Sequence, residues 1–157
     1  MITVVSMYFE DFKEGYCFET SSRKVTKDDI IVFAKQWDYQ PFHLDEEIAA
    51  QGPFKGLIAS GWQTLLIAFA LILDTQKISD SSLGSPGLED VHWFLPVRPD
   101  NILTCKVTVL SSRLSKKSAK GIVKILVEIF NQDQNLAADF KAIWMLRLRP
   151  GHASIQT

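Results

Sequence analysis

LIASGWQTLLIAFALIL, residues 57 to 73, is the most apolar run in the chain. It approaches the roughly 18-residue length of a membrane span, but Ser60, Gly61, Gln63 and Thr64 interrupt its first half. From Gly56 to Asp74 nearly every face is apolar, which predicts a helix buried inside protein with other structure around it. What surrounds it follows in the sequence. Leu103, Cys105, Val107 and Val109 alternate with Thr104, Lys106 and Thr108, and Val123, Ile125, Val127 and Ile129 alternate with Lys124 and Glu128. Ala138, Phe140, Ala142, Trp144 and Leu146 form a third apolar row, after the turn Asn131-Gln132-Asp133-Gln134-Asn135. Period-2 alternation marks half-buried strands, so the second half of the chain is predicted as an antiparallel sheet. SDSSLGSPG, residues 79 to 87, is the linker between the two regimes. With a short N-terminal strand and two small helical pieces before the long helix, the pattern gives an α+β domain: a sheet wrapped around one central helix.

The chain's 157 residues fit one domain over 1–157, with a core at about 10–149 and a tail at 150–157. It is 46% hydrophobic and 22% charged, which indicates neither disorder nor low complexity. Seventeen basic and eighteen acidic residues leave a net charge of −1, so no general field attracts nucleic acid or an anionic membrane. An anionic ligand must be met by a local patch. Cys17 and Cys105 form no C-x-x-C unit, and three dispersed histidines make no metal-ligand set, so a reducing compartment and no catalytic metal are expected. MITVVSMYFEDFKEG lacks a basic start, which makes the cytoplasm the default location. There is no G-x-G-x-x-G, P-loop or G-x-S-x-G on which to rest a nucleotide-cofactor or serine-hydrolase reading.

Upstream of the long helix, Thr26 before Lys27-Asp28-Asp29 reads as an N-cap, and Ile30, Phe33, Ala34 and Trp37 give helical spacing up to Trp37 or Asp38. Pro41 disfavours helical geometry at Gln40, which places residues 38 to 42 in an extended or turn-like segment with Asp38 and His43 on a loop edge. His43-Leu44-Asp45-Glu46-Glu47 is expected to open a short helix through Ala50, broken by Gly52-Pro53. An imidazole beside a carboxylate on such a loop suits acid–base chemistry. The pair serves equally as local caps of backbone groups, and spacing alone favours that plainer use. Gly61 has two readings as well. Free amides at the helix start favour a developing oxyanion, with the missing Cβ admitting a carbonyl, or the residue is small for packing against the sheet. Ser60 is an N-cap or a ligand contact. His92, in a strand beside Trp93, and His152, in the tail, are read as structural or solvated. SSRLSKKSAKG, residues 111 to 121, clusters Arg113, Lys116, Lys117 and Lys120 on a turn: usually a solvated hairpin tip, otherwise a site for a phosphorylated carrier.

WDYQPFHLDEEIAAQGPFKGLIASGWQT, residues 37 to 64, resembles the signature region of MaoC-like dehydratases, which include the R-specific enoyl-CoA hydratases. VHWFLPVRPDNIL and the strands after it, residues 91 to 149, are similar to that family's sheet, and the likeness covers about residues 20 to 149. The resemblance implies a hot-dog fold working as a homodimer, with the acyl chain entering near the subunit interface. It implies that Asp38 and His43 hold and activate a water that adds across a trans-2-enoyl thioester, or leaves a 3-hydroxyacyl thioester in reverse. It assigns Gly61 the backbone N–H that polarises the thioester carbonyl. Gln40 departs from the pattern, since several members have asparagine two residues after the aspartate, and its extra methylene would rearrange the water network.

The leading expectation is a hydratase/dehydratase acting on an acyl-CoA or related thioester, without metal or redox cofactor, with Asp38 and His43 as the pair and Gly61, Ser60 and Gln40 around the substrate. Trp62, Leu65 and Phe42 are candidate acyl contacts that core packing explains as well. The alternatives are a non-catalytic acyl-thioester-binding protein and a thioesterase.

Overall fold

The computed structural model describes residues 5–151; His152 and the rest of the tail lie outside the described residues. After a single 3-10 turn at Phe9–Asp11 the elements run β1 Cys17–Lys24, α1 Lys27–Trp37, α2 Pro41–Leu44, α3 Glu46–Gln51 and α4 Gly61–Asp74. Then come β2 Gly87–Trp93, β3 Ile102–Leu114, β4 Gly121–Phe130 and β5 Leu136–Leu146. All five strands pair antiparallel in one sheet, in the order β1-β3-β4-β5-β2. This is the hot-dog arrangement.

The alternating rows set the register. Val107 of β3 opposes Val127 of β4, which opposes Phe140 of β5; Ile125 opposes Val109 on one side and Ala142 on the other. All of these side chains are buried. Because side chains alternate across a strand, matching these rows puts one continuous apolar face under α4. Against it α4 lays Thr64, Leu65, Ala68, Leu71 and Ile72, buried at helical spacing. Truncating a fully buried residue here, such as Ile125 or Leu71, removes transfer energy and leaves a cavity, at about 2–5 kcal/mol.

The helix is less enclosed than its sequence predicts. Trp62, Leu66, Phe69 and Leu73 are 61%, 55%, 46% and 46% exposed, a stripe spaced by about one turn, and the first three border an apolar cavity shared with Ile125, Phe140 and Trp144 of the sheet. α4 packs chiefly against β1 and β3, which leaves part of its surface uncovered. The helix also begins four residues later than the apolar run, with Leu57–Ser60 buried but not helical. Gly61 is therefore the first helical residue, where the interior penalty for glycine does not apply.

Candidate functional site

The site is built by three helix ends meeting at one place. Thr26 caps α1 as expected: its hydroxyl accepts from the Asp29 N–H at 3.1 Å, and the Asp29 carboxylate accepts from the Thr26 N–H at 3.0 Å. The helix stops at Trp37, and Asp38 is its C-cap. Gln40 is extended, as the following proline requires, but Pro41 then opens the single turn α2, for which its fixed φ is already suited. His43 thus lies within α2 rather than at the start of the next helix. That start is Glu46, capped by the Asp45 carboxylate, which accepts from the Glu47 and Ile48 N–H groups at 2.9 Å each. Nor does His43 sit on a loop edge: it is 4% exposed, because α2 turns its ring inward beneath Phe42, 4.5 Å away between ring centres.

His43 Nδ1 donates to the Ile58 carbonyl oxygen at 2.7 Å. A carbonyl only accepts, so this contact fixes the proton on Nδ1 and leaves Nε2 as the ring atom that gains or loses one. Nε2 lies 3.2 Å from Asp38 Oδ2. The other oxygen of Asp38, Oδ1, accepts from the Gln40 amide at 2.8 Å. Burial works against the charge on Asp38, but hydrogen bonds from Ser60 and Gln40, and then His43, outweigh it and hold the carboxyl below the usual carboxylate range. Asp38 is an ionised acceptor at neutral pH.

Ser60 caps α4, its hydroxyl accepting from the Trp62 N–H at 3.2 Å while also serving Asp38. The Gly61 N–H meets no protein acceptor among the described residues, and Gly61 lines the same cleft. Its lack of a side chain fits the second reading of the sequence, a residue kept small for packing against the sheet. A Cβ at 61 would stand 2.6 Å from Trp93, whose indole Nε1 donates to the Gly61 carbonyl at 3.0 Å. The glycine is small for the packing of this β2 tryptophan, and its amide stays open.

Asp38, Gln40, His43 and Gly61 line one open cleft of about 420 Å³ with Phe42, Phe54, Trp62, Thr64, Trp93 and the segment Phe94–Val97. Of the three candidate acyl contacts, Phe42 and Trp62 face this cleft. Leu65 faces a second, almost wholly apolar cavity of about 410 Å³, which shares only Trp62 with the first. Phe54 and Trp93 were not singled out from sequence. The useful signal was Trp93 at the end of a predicted strand, beside the turn returning to the helix start.

Other candidates fall elsewhere. His92 is exposed on β2, bonded to Asp139 at 2.9 Å. Arg113 lies in β3 and the basic tip follows it at 115–120, the end of β3 remote from the cleft; thirteen residues of strand put them about 40 Å apart. Among the described residues there is no cluster of three or more His, Cys, Asp or Glu suited to a metal, and no helix long and apolar enough to cross a membrane.

The family model described as "MaoC like domain" matches residues 12–129. The chain is 38% identical over 128 residues to the Bacillus subtilis uncharacterized protein YdeM, covering 82% of this chain and 90% of that one. It is 31% identical over 108 residues to the 3-hydroxybutyryl-CoA dehydratase of Methylorubrum extorquens, covering 66% of this chain and 64% of that protein's length. The crystal structure of the MaoC-like dehydratase from Rhodospirillum rubrum superposes with a TM-score of 0.82 at 32% identity, over 92% of this chain and 99% of that one. A match over most of the chain, with the Asp38–His43 cleft inside the matched span, means that the chain belongs to the MaoC-like domain family.

Proposed function

We propose that the chain hydrates trans-2-enoyl thioesters, and in reverse dehydrates (R)-3-hydroxyacyl thioesters, most plainly as coenzyme A derivatives. The observation that carries this reading is the 3.2 Å approach of His43 Nε2 to Asp38 Oδ2 in an open cleft, with the far atom of each group already bonded. In the neutral ring Nε2 carries no proton and accepts, as Oδ2 does, so a water resting against both gives one hydrogen to each; a protonated Nε2 donates to Oδ2 instead. In hydration the water oxygen bonds to C3 as one of its protons passes to the pair. The C2=C3 π electrons shift toward the carbonyl, and the negative charge on the thioester oxygen meets the open Gly61 N–H at the start of α4. C2 then takes a proton from the pair, which returns the site to its first state. The scheme moves protons alone and asks for no metal or redox group.

The same reading includes a second copy of the chain. The stripe Trp62, Leu66, Phe69 and Leu73 leaves large side chains in water, and contiguous exposed apolar surface of that kind marks an association face. Light scattering should give twice the chain mass.

The test is turnover of a chain-length panel of trans-2-enoyl-CoA thioesters, followed by loss of enoyl absorbance, chiral analysis of the product and a free-thiol assay. Hydration to the R alcohol without thiol release supports the proposal. Thiol release in its place makes the protein a thioesterase, and tight binding without either product makes it a binding protein.

A further inference from the structure

We propose that Arg98, with Lys55 beside it, receives the phosphate of a phosphorylated pantetheine arm at the outer rim of the cleft. This inference rests on the thioester reading above and adds the place where the carrier end of the substrate is held.

Three observations carry it. The first is position. The Phe42 ring stands 4.5 Å from the His43 imidazole, and the Phe54 ring 5.4 Å from that of Phe42, so an aromatic row leads outward from the pair. At its outer end Arg98 Nη2 donates to the Phe54 carbonyl oxygen at 2.6 Å. Arg98 directly follows Val97 of the cleft wall, and its own N–H donates to Asn101 Oδ1 at 2.9 Å, which anchors the base of the side chain.

The second is unspent hydrogen-bonding capacity. A guanidinium carries five N–H donors, and among the described residues only the one to Phe54 meets a protein acceptor. No carboxylate forms an ion pair with Arg98 or Lys55 among the described residues, a state they share with other basic residues; what sets Arg98 apart is its place at the cleft rim. A half-buried, fixed, unpaired guanidinium suits the forked recognition of a phosphate.

The third is the local backbone. Lys55 has φ +56° and Gly56 φ +152°, and a Cβ on Gly56 would stand 3.1 Å from Arg98 Nη1. The chain therefore bends closely over the guanidinium, and a glycine is required where it does so. The bend is held by the Gly56 N–H donating to the Ala49 carbonyl at 3.0 Å. It sets the backbone at 54–56 against the guanidinium, with Lys55 exposed between the two residues that touch it. With a net charge near zero, these two cations are the local patch that an anionic carrier needs. The basic tip at 115–120 lies at the wrong end of β3 to serve.

The test is calorimetric binding of coenzyme A, 4′-phosphopantetheine and pantetheine to the full chain, at low and at moderate salt. The expected result is that both phosphorylated ligands bind at least about tenfold more tightly than pantetheine, with the difference shrinking as salt rises. Arg98→Met and Lys55→Met should each reduce that difference and leave pantetheine binding unchanged. Equal affinity for coenzyme A and phosphopantetheine assigns the contact to the inner phosphate; tighter coenzyme A adds the outer ones. No preference for phosphate in the unsubstituted chain, or a preference that survives both substitutions, overturns the proposal. Lys55 makes no hydrogen bond or ion pair through its side chain among the described residues, so its variant decides the matter if Arg98→Met does not fold. Since binding is measured without turnover, the phosphate site stands or falls on these affinities even in a protein that fails to hydrate enoyl thioesters.

Discussion

Replacing Gln40 by alanine removes the amide that holds Asp38 Oδ1 at 2.8 Å. Two effects follow. The carboxylate becomes free to turn about its last bond, so Oδ2 no longer faces His43 by constraint. The charged form also loses one of the hydrogen bonds that keep its pKa low. A hydrogen bond to a charged group contributes about 1.5–3 kcal/mol when dry, but Gln40 is exposed and water can replace the amide, so about 1 kcal/mol is the reasonable share. In a barrier that is less than a tenfold loss, so kcat should fall about three- to tenfold. The acid-side stability should change with a definite sign. Asp38 is more acidic folded than unfolded, so it stabilises the fold above the usual carboxylate pKa, and this is lost as pH falls through its lower folded value. Gln40→Ala should shrink that contribution at neutral pH and bring acid unfolding in at slightly higher pH. Steady-state hydration rates and melting temperatures between pH 3 and 8 measure both. A loss of a thousandfold would make Gln40 part of the chemistry, and identical profiles would remove it from the site. Gln40→Asn should lie between alanine and the unsubstituted chain, because it keeps the amide and changes only its reach.

Gly61→Ala should displace the Trp93 indole, cost the bond from its Nε1, and lower turnover more than it lowers the melting temperature; Trp93 fluorescence should shift at the same time. Unchanged fluorescence would show that the indole does not pack there. Thr26→Ala removes one side of the α1 capping box at a cost of about 1 kcal/mol, a few degrees in melting temperature for a domain of this size. Cys105 is buried and its thiol is pushed up to about 12, mainly by desolvation, while Cys17 is exposed. A thiol reagent at pH 8 should therefore label one cysteine quickly and the second only after unfolding.

Much of the fold could be read from local pattern. The rows beginning at Leu103, Val123 and Ala138 lie on one face because a strand alternates wherever it is placed, and Thr26 caps α1 because the cap needs only residues within three positions. What was illegible depends on which surfaces tertiary structure leaves bare. The helix predicted as surrounded carries an open stripe through Leu66, Phe69 and Leu73, since its apolar residues look the same in sequence whether sheet or solvent covers them. For the site, the signature placed Asp38, Gln40, His43, Ser60 and Gly61 together; in the structure Asp38, Gln40, His43 and Gly61 line one cleft, and Ser60 is buried behind it against Asp38. It could not show that Pro41 starts a turn which buries His43, nor that Trp93, 32 positions after Gly61, is the reason no side chain fits at 61. The basic run near 116 stood out by composition, whereas Arg98, a lone arginine between two prolines in LPVRP, acquires meaning only from the Phe54 carbonyl across the cleft rim.

The most direct test of the central claim is hydration of a short trans-2-enoyl-CoA by the unsubstituted chain, Asp38→Asn and His43→Ala, each first shown to be folded by its circular dichroism and melting curve. If the two groups share one water, each substitution should lower kcat by at least about a hundredfold, and the double variant should be scarcely worse than either single one. Either variant retaining most of its turnover, or losses that multiply as if the residues acted independently, would contradict a shared water between Oδ2 and Nε2.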